Sequence, residues 1–224
     1  NTALSERIIN MQESATLKMA KISRELKAQG HDVIDLSIGE PDFDTPQHIK
    51  DAAKKAIDEG YTHYTPVPGY LDLRKAICKK LKRDNNLDYS PDEIVVSTGA
   101  KQSIANAVLA LVNKGEEVLL PAPYWVSYSA IVDLAEGVSK EIFTDIDTNF
   151  KVTAAQLEAA ITDKTKLIIF SSPCNPTGSL YSFEEMQSLA DMLVKYPNIY
   201  VICDEIYEFI NYTGKKHCSL ASFE

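Results

Sequence analysis

From about residue 93 onward, short runs rich in β-branched residues alternate with segments of helical periodicity, and this alternation limits the possible folds more than any other feature. Strands are expected at Glu93–Ser97, Glu117–Leu120, Ser139–Phe143, Lys166–Phe170 and Ile199–Cys203. Between them, helices are expected near Gln102–Val112, Trp125–Leu134, Ala154–Ile161 and Phe183–Val194. Strand followed by helix, repeated, implies an α/β architecture with a mostly parallel sheet. Right-handed crossovers then place helices on both faces. Ligands of such sheets bind beyond the carboxyl ends of the strands, so those ends are where chemistry is to be sought. Upstream, Asp32–Ile38 reads as one further strand, and Gln47–Glu59 and Leu71–Arg83 read as helices. Residues 1–45 differ in character and are expected to form an N-terminal arm and small-lobe segment, with 46–224 as the first part of a larger domain.

Composition removes several classes of function. The 224 residues carry a formal charge of −9 with no basic stripe, which argues against a nucleic-acid partner. No apolar run approaches the roughly 20 residues of a membrane span. Asn1–Asn10 shows no basic stretch followed by an apolar core, so no secretory signal is read there, and a cytoplasmic location is expected. Cys78, Cys174, Cys203 and Cys218 form no C-x-x-C pair and read as free thiols.

Five segments at strand ends or in loops carry unusual chemistry. Ser97-Thr98-Gly99-Ala100-Lys101-Gln102 joins a strand to a helix; its glycine permits close backbone approach and the helix start favours an anion. The spacing is neither that of a Walker loop nor that of a dinucleotide fingerprint. Asp204-Glu205-Ile206-Tyr207-Glu208 follows the last strand, where Asp204 either faces a ligand or caps a helix. Ser171-Ser172-Pro173-Cys174-Asn175-Pro176-Thr177-Gly178 is a stiff turn that fixes the direction of the Asn175 amide. Pro121-Ala122-Pro123-Tyr124-Trp125 sets the single tryptophan at another strand end, either as core or as a ring platform. Gly39-Glu40-Pro41-Asp42-Phe43-Asp44-Thr45-Pro46 is a tight acidic turn. Each has a purely structural explanation on its own. Together they ask for a ligand with an anionic group, a flat ring, a basic ring atom and an oxygen, and pyridoxal phosphate has all of these parts.

The motifs GEPDFDTP, STGAKQ, PYWVSY, SSPCNPTG and DEIYE stand here in one order over the whole chain. In this the sequence resembles the class I, fold-type I, pyridoxal-phosphate-dependent aminotransferases, close to bacterial aspartate aminotransferases. The resemblance implies pyridoxal 5'-phosphate as cofactor, aspartate as amino donor and 2-oxoglutarate as acceptor. It implies that Gly99, Ala100 and Lys101 lie at the cofactor phosphate and that Trp125 stacks on the pyridine. Asp204 would pair with the pyridine nitrogen, and Asn175 and Tyr207 would donate to the phenolic oxygen. Asp204 and Tyr207 are thereby the expected catalytic residues. Gly39, Trp125, Asn175, Thr16 and Lys101 are implied at the substrate, with Lys101 and Thr16 recognising a distal carboxylate. Tyr64, in the loop His63–Gly69, resembles a tyrosine that reaches a neighbouring subunit's phosphate, which implies a homodimer with shared active sites. The family's Schiff-base lysine falls after DEIYE by one more loop and strand, past Glu224. The fold is accordingly expected to be incomplete at the C-terminus, and these 224 residues alone are expected to be inactive. Competing readings are a lyase on the same fold and cofactor, or an inactive fragment or effector-binding domain. No metal ligands are expected.

Overall fold

The computed structural model describes residues 3–11, 15–36, 39 and 41–223, without the side chains of Asn10, Ala15 and Thr16. The chain divides into two compact units. One comprises Asn1–Met11 with Pro68–Glu224 and the other Gln12–Val67.

The larger unit holds a four-stranded, all-parallel sheet: β1 (Glu117–Ala122), β2 (Val138–Phe143), β3 (Thr165–Ser171) and β4 (Tyr200–Asp204), in the order β2-β1-β3-β4. Helix α1 (Glu6–Asn10) and α4 (Leu71–Lys80) belong to this unit, with α5 (Ala100–Leu111), α6 (Ser127–Leu134), α7 (Ala154–Ala160) and α8 (Phe183–Leu193). The second unit holds α2 (Ala15–Ala28) and α3 (Gln47–Asp58). None of the described helices is long and apolar enough to cross a membrane.

The period-two alternation of the central strands builds the two cores. Val118 and Leu120 of β1 and Leu167 and Ile169 of β3 pack with Ile104, Val108, Tyr128, Ile131 and Val132 of α5 and α6. The intervening Leu119, Ile168 and Phe170 turn to the other face, against Leu157 of α7 and Met186, Leu189 and Met192 of α8. Strands buried on both faces read as continuous apolar runs, which is why Val118–Leu120 and Leu167–Phe170 contain no polar residue. On α5, Ile104 and Val108 stand four apart on one stripe, as a helix with one buried side requires.

Strand order also locates the crevice. From β1 the chain crosses to β2 on one side; the next crossover returns past β1 to β3, then continues to β4. The direction reverses between β1 and β3, and a switch point of this kind opens a cleft beyond the carboxyl ends of those strands.

Three expectations change. Residues 32–36 form no strand, and Ser37 and Ile38 lie outside the described residues. Glu93–Ser97 is not in the sheet: Pro91–Glu93 is a 3-10 turn and Val96 gives its N–H to Pro68 O. An apolar β-branched run becomes a strand only beside a partner, and the described residues offer it none. The helix expected over Leu71–Arg83 is α-helical through Lys80 and then widens into a π turn over Leu81–Asn85. Of the remaining helix bounds, Gln47, Leu134, Ala154 and Phe183 stand where expected and the others move by one or two residues.

Candidate active site

Gly99 is the N-cap of α5, and its φ of 86° lies in the left-handed region that favours glycine. The N–H groups of Gln102 and Ser103 close onto Gly99 O. Helix geometry leaves those of Ala100 and Lys101 without an intrahelical acceptor, at the positive end of the helix dipole. This corner therefore suits an anion.

Beyond β1 the chain runs through a cis Ala122–Pro123 bond to Tyr124 and Trp125. Trp125 is half-buried, and the Lys101 ammonium lies 4.9 Å from its ring centroid. Trp125 and the buried ring of Tyr128 meet edge to face, with centroids 5.6 Å apart and planes at 89°. Beyond β3, the Ser171–Gly178 turn contains cis bonds at Ser172–Pro173 and Asn175–Pro176. Cys174 N–H and Gly178 N–H close the turn on Ser179 O and Cys174 O, at 2.9 and 2.8 Å.

Asp204 is the last residue of β4, paired in register with Ser171 of β3. Its Oδ2 accepts a hydrogen bond from Tyr128 Oη at 2.9 Å, and its Oδ1 accepts from Ile206 N at 3.2 Å. Asp204 therefore caps a turn, but no helix follows. Residues 206–209 are hydrogen-bonded turns closed by Glu208 N to Glu205 O and Ile210 N to Tyr207 O. Tyr207 reaches the cavity from that turn, and Asn175 Nδ2 donates to its hydroxyl at 3.4 Å.

These parts enclose one cavity of about 340 Å³, lined by Gly99, Ala100, Lys101, Trp125, Tyr128, Ser171, Asn175, Asp204, Ile206 and Tyr207. That volume lies at the small end of the range for ligand pockets. A neighbouring hollow of about 350 Å³ shares Ala100, Asp204 and Ile206 with it. It runs along Ile104, Ala107 and Ile202 and lacks Trp125, Asn175 and Tyr207, so it has fewer groups that could orient a ligand.

Seven residues singled out from the sequence thus surround one space: Gly99, Ala100, Lys101, Trp125, Asn175, Asp204 and Tyr207. Thr16, Gly39 and Tyr64 belong to the second unit. There Gly39 is exposed in an irregular stretch, Tyr64 is fully exposed in its loop, and the side chain of Thr16 lies outside the description. Tyr128 was missed. As the last residue of PYWVSY it reads as core, and it is 1% exposed. Its spacing from Trp125 was the available signal, because residues three apart on a helix share a face. Burial, and then the Asp204 carboxylate, push the Tyr128 phenol well above its ordinary range, so it remains a donor. Among the described residues no cluster of His, Cys, Asp and Glu is arranged to hold a metal ion, and the four cysteines are free.

The fold and cavity define a class: a doubly wound parallel α/β protein whose switch-point crevice presents an anion corner, a ring platform and a half-buried carboxylate. The model of the aminotransferase class I and II family matches residues 31–223, and the chain belongs to that family. A probable aspartate/prephenate aminotransferase of Rickettsia felis is 50% identical over 218 residues, covering 97% of this chain and 53% of the relative. The aspartate aminotransferase of Rhizobium meliloti superimposes with a TM-score of 0.94 at 42% identity, over 98% of this chain and 55% of that one. The aspartate aminotransferase of Thermus thermophilus with maleate gives 0.94 at 40% identity, over 98% and 57%. The chain spans about half the length of the curated relatives it matches.

Proposed function

We propose that the complete protein transfers an amino group from L-aspartate to a 2-oxo acid, with 2-oxoglutarate as acceptor and pyridoxal 5'-phosphate as cofactor. The observation that carries this reading is the convergence of the α5 N-terminus, the Trp125 ring, the Asp204 carboxylate and the Asn175–Tyr207 pair on one cavity. Each suits one part of the cofactor, and the family and its aminotransferase relatives support the reading of the reaction as transamination.

The residues divide the work as follows. Gly99, Ala100 and Lys101 hold the phosphate through backbone N–H groups, helix dipole and ammonium charge. Trp125 fixes the plane of the ring. Asp204 keeps a proton on the ring nitrogen, since a neighbouring negative charge favours the protonated ring. Tyr128 donates to Asp204 and so holds the carboxylate in its orientation. Asn175 and Tyr207 donate to the phenolic oxygen. When bound, pyridoxal phosphate supplies an electron sink for the pair left on the substrate carbon that loses its proton.

An acidic substrate is favoured because Lys101 can pair with a distal carboxylate. Thr16, Gly39, Trp125 and Asn175 complete the proposed substrate contacts. Maleate, named with the Thermus structure, is a dicarboxylate, and prephenate, named with the Rickettsia relative, is a second candidate acceptor. Lys101→Ser in the complete protein should lower kcat/KM for aspartate more than for alanine or phenylalanine. Equal losses on all three would leave Lys101 with the phosphate alone.

We further read the protein as a cytoplasmic homodimer in which Tyr64 reaches the partner's phosphate site, with residues 1–45 as arm and 46–224 as cofactor-binding domain. The 224 residues alone are proposed not to transaminate. Among the described residues lining the cavity the one lysine is Lys101, which lies over Trp125 and is already assigned to the phosphate. Borohydride reduction with cofactor, followed by peptide mapping, checks this. Stoichiometric labelling of one lysine together with amino-group transfer would overturn it.

A further inference from the structure

The turn that carries Tyr207 has little backbone support. Residues 206–209 are neither helix nor strand, and two i,i+3 bonds hold the whole of 205–210. Side chains do the remaining work. On the near side, a Glu205 oxygen lies 3.2 Å from His217 Nε2 without a hydrogen bond between them. On the far side, Glu208, next to Tyr207, is gripped from a part of the chain more than 120 residues away. Lys80 Nζ donates to Glu208 Oε1, and Asn85 Nδ2 donates to Glu208 Oε2 at 3.3 Å. Lys80 also donates to Asn85 Oδ1 at 3.0 Å and stands 5.4 Å from the ring centroid of Phe209. Both charged side chains are largely shielded, with exposures of 27% for Lys80 and 15% for Glu208.

The π turn explains how one element delivers two ligands to one carboxylate. In an α-helix, residues five apart are rotated by about 140° and face different ways. The i→i+5 bonding of Leu81–Asn85 inserts the extra residue that brings Asn85 back over Lys80. Asn86 then leaves the turn at φ 57°, with its N–H on Leu81 O. Ser222 Oγ donates to Asn85 O at 3.4 Å and ties the turn from the other side.

We propose that Lys80, Asn85 and Glu208 are positioning residues that clamp the 205–210 turn and so set the direction of the Tyr207 hydroxyl. The clamp's relevance to catalysis rests on the reading of Tyr207 as a donor to the cofactor's phenolic oxygen. The clamp itself stands on the contacts just described. It acts through Tyr207 and touches no substrate, so its loss should alter how Tyr207 presents its hydroxyl without emptying the site.

The test uses the complete protein with fluorotyrosine introduced singly at Tyr207 or, as a reference in the opposite core, at Tyr181, observed by fluorine NMR without cofactor. Lys80→Met and Glu208→Gln should each shift or broaden the Tyr207 signal and leave that of Tyr181 unchanged. The reversed pair, Lys80→Glu with Glu208→Lys, should return the Tyr207 signal toward its original position. An unchanged Tyr207 signal in both single variants overturns the proposal. If the single variants lose both signals through unfolding, Asn85→Ala, which keeps the ion pair, decides by the same criterion. With pyridoxal phosphate added, the pH midpoint of its visible absorption band should move in each clamp variant in the direction given by Tyr207→Phe. In a Tyr207→Phe background the clamp variants should add nothing, as expected when one residue acts through another. An additive shift would overturn the route through Tyr207. Failure of the unaltered protein to bind pyridoxal phosphate would sink the proposed function, while the fluorine signals would still decide the clamp.

Discussion

Asp204 and Tyr128 are joined by a hydrogen bond at the site, and both lend themselves to direct tests. Removing one member of a buried charge pair costs about 3–5 kcal/mol, an upper bound for the half-buried Asp204. Asp204→Asn in the complete protein should therefore lower turnover roughly 10²- to 10⁴-fold if the loss falls on the transition state. A variant retaining more than half of the original turnover would remove Asp204 from the mechanism. For Tyr128, the folded protein raises the phenol above its ordinary 10.0, by burial first and by Asp204 second. Above pH 10 the unfolded chain loses that proton while the folded one keeps it, so the stability due to Tyr128 is present below pH 10 and falls as pH rises further. Tyr181, raised chiefly by burial, contributes in the same direction. Denaturant melts from pH 8 to 11 should show a declining midpoint, and Tyr128→Phe should flatten the decline. Tyr128→Phe should also cost about 1.5–3 kcal/mol near neutrality, the worth of a hydrogen bond to a charged group.

Among the elements, α8 shows how local sequence sets a boundary. Ser182 Oγ accepts from Glu185 N at 3.2 Å, and Glu185 Oε2 accepts from Ser182 N at 2.7 Å. Lys151 pairs with the same Glu185 and links the helix start to the loop before α7. Ser182→Ala should cost about 1 kcal/mol and Ser182→Gly only a few tenths, because glycine tolerates the N-cap conformation. In a domain of this size that 1 kcal/mol is a fall of roughly 2–4 °C in Tm, readable by calorimetry. Equal losses for the two variants would show that the hydroxyl is not what holds the helix start. Thr153 and Gln156 repeat the same reciprocal pattern at α7. Such ends are legible because donor and acceptor are three residues apart. Glu93–Ser97 departs from its expected strand for the opposite reason: strand character depends on a partner elsewhere in the chain, and no local pattern reports one.

At the scale of the whole molecule, the proposed dimer is open to a direct check. Tyr64 stands fully exposed in a loop with Pro66, Pro68 and Gly69 around it. A stiff loop of this kind presents a side chain with little entropy left to lose. Sedimentation of the complete protein at micromolar concentration should give a dimer, and Tyr64→Phe should weaken cofactor binding without dissociating it. A monomer that binds pyridoxal phosphate tightly would contradict the shared site.

The alternation of apolar runs and helical stripes determined by itself that this chain builds a parallel α/β sheet, because each pattern has a face that must be buried. The same reading marked Gly99, Trp125, Asn175, Asp204 and Tyr207, since unusual residues at strand ends stand out locally. Tertiary structure decided what sequence separation concealed. Strand order put the switch point between β1 and β3, and with it the cavity. Packing set the core residue Tyr128 against Asp204, 76 positions away, as the donor that holds it. A π turn brought Lys80 and Asn85 to Glu208, across 128 and 123 positions. Periodicity is written over a few residues and can be read there. A hydrogen bond between distant segments depends on how the packed sheet and helices bring them together, and no local stretch of sequence contains that information.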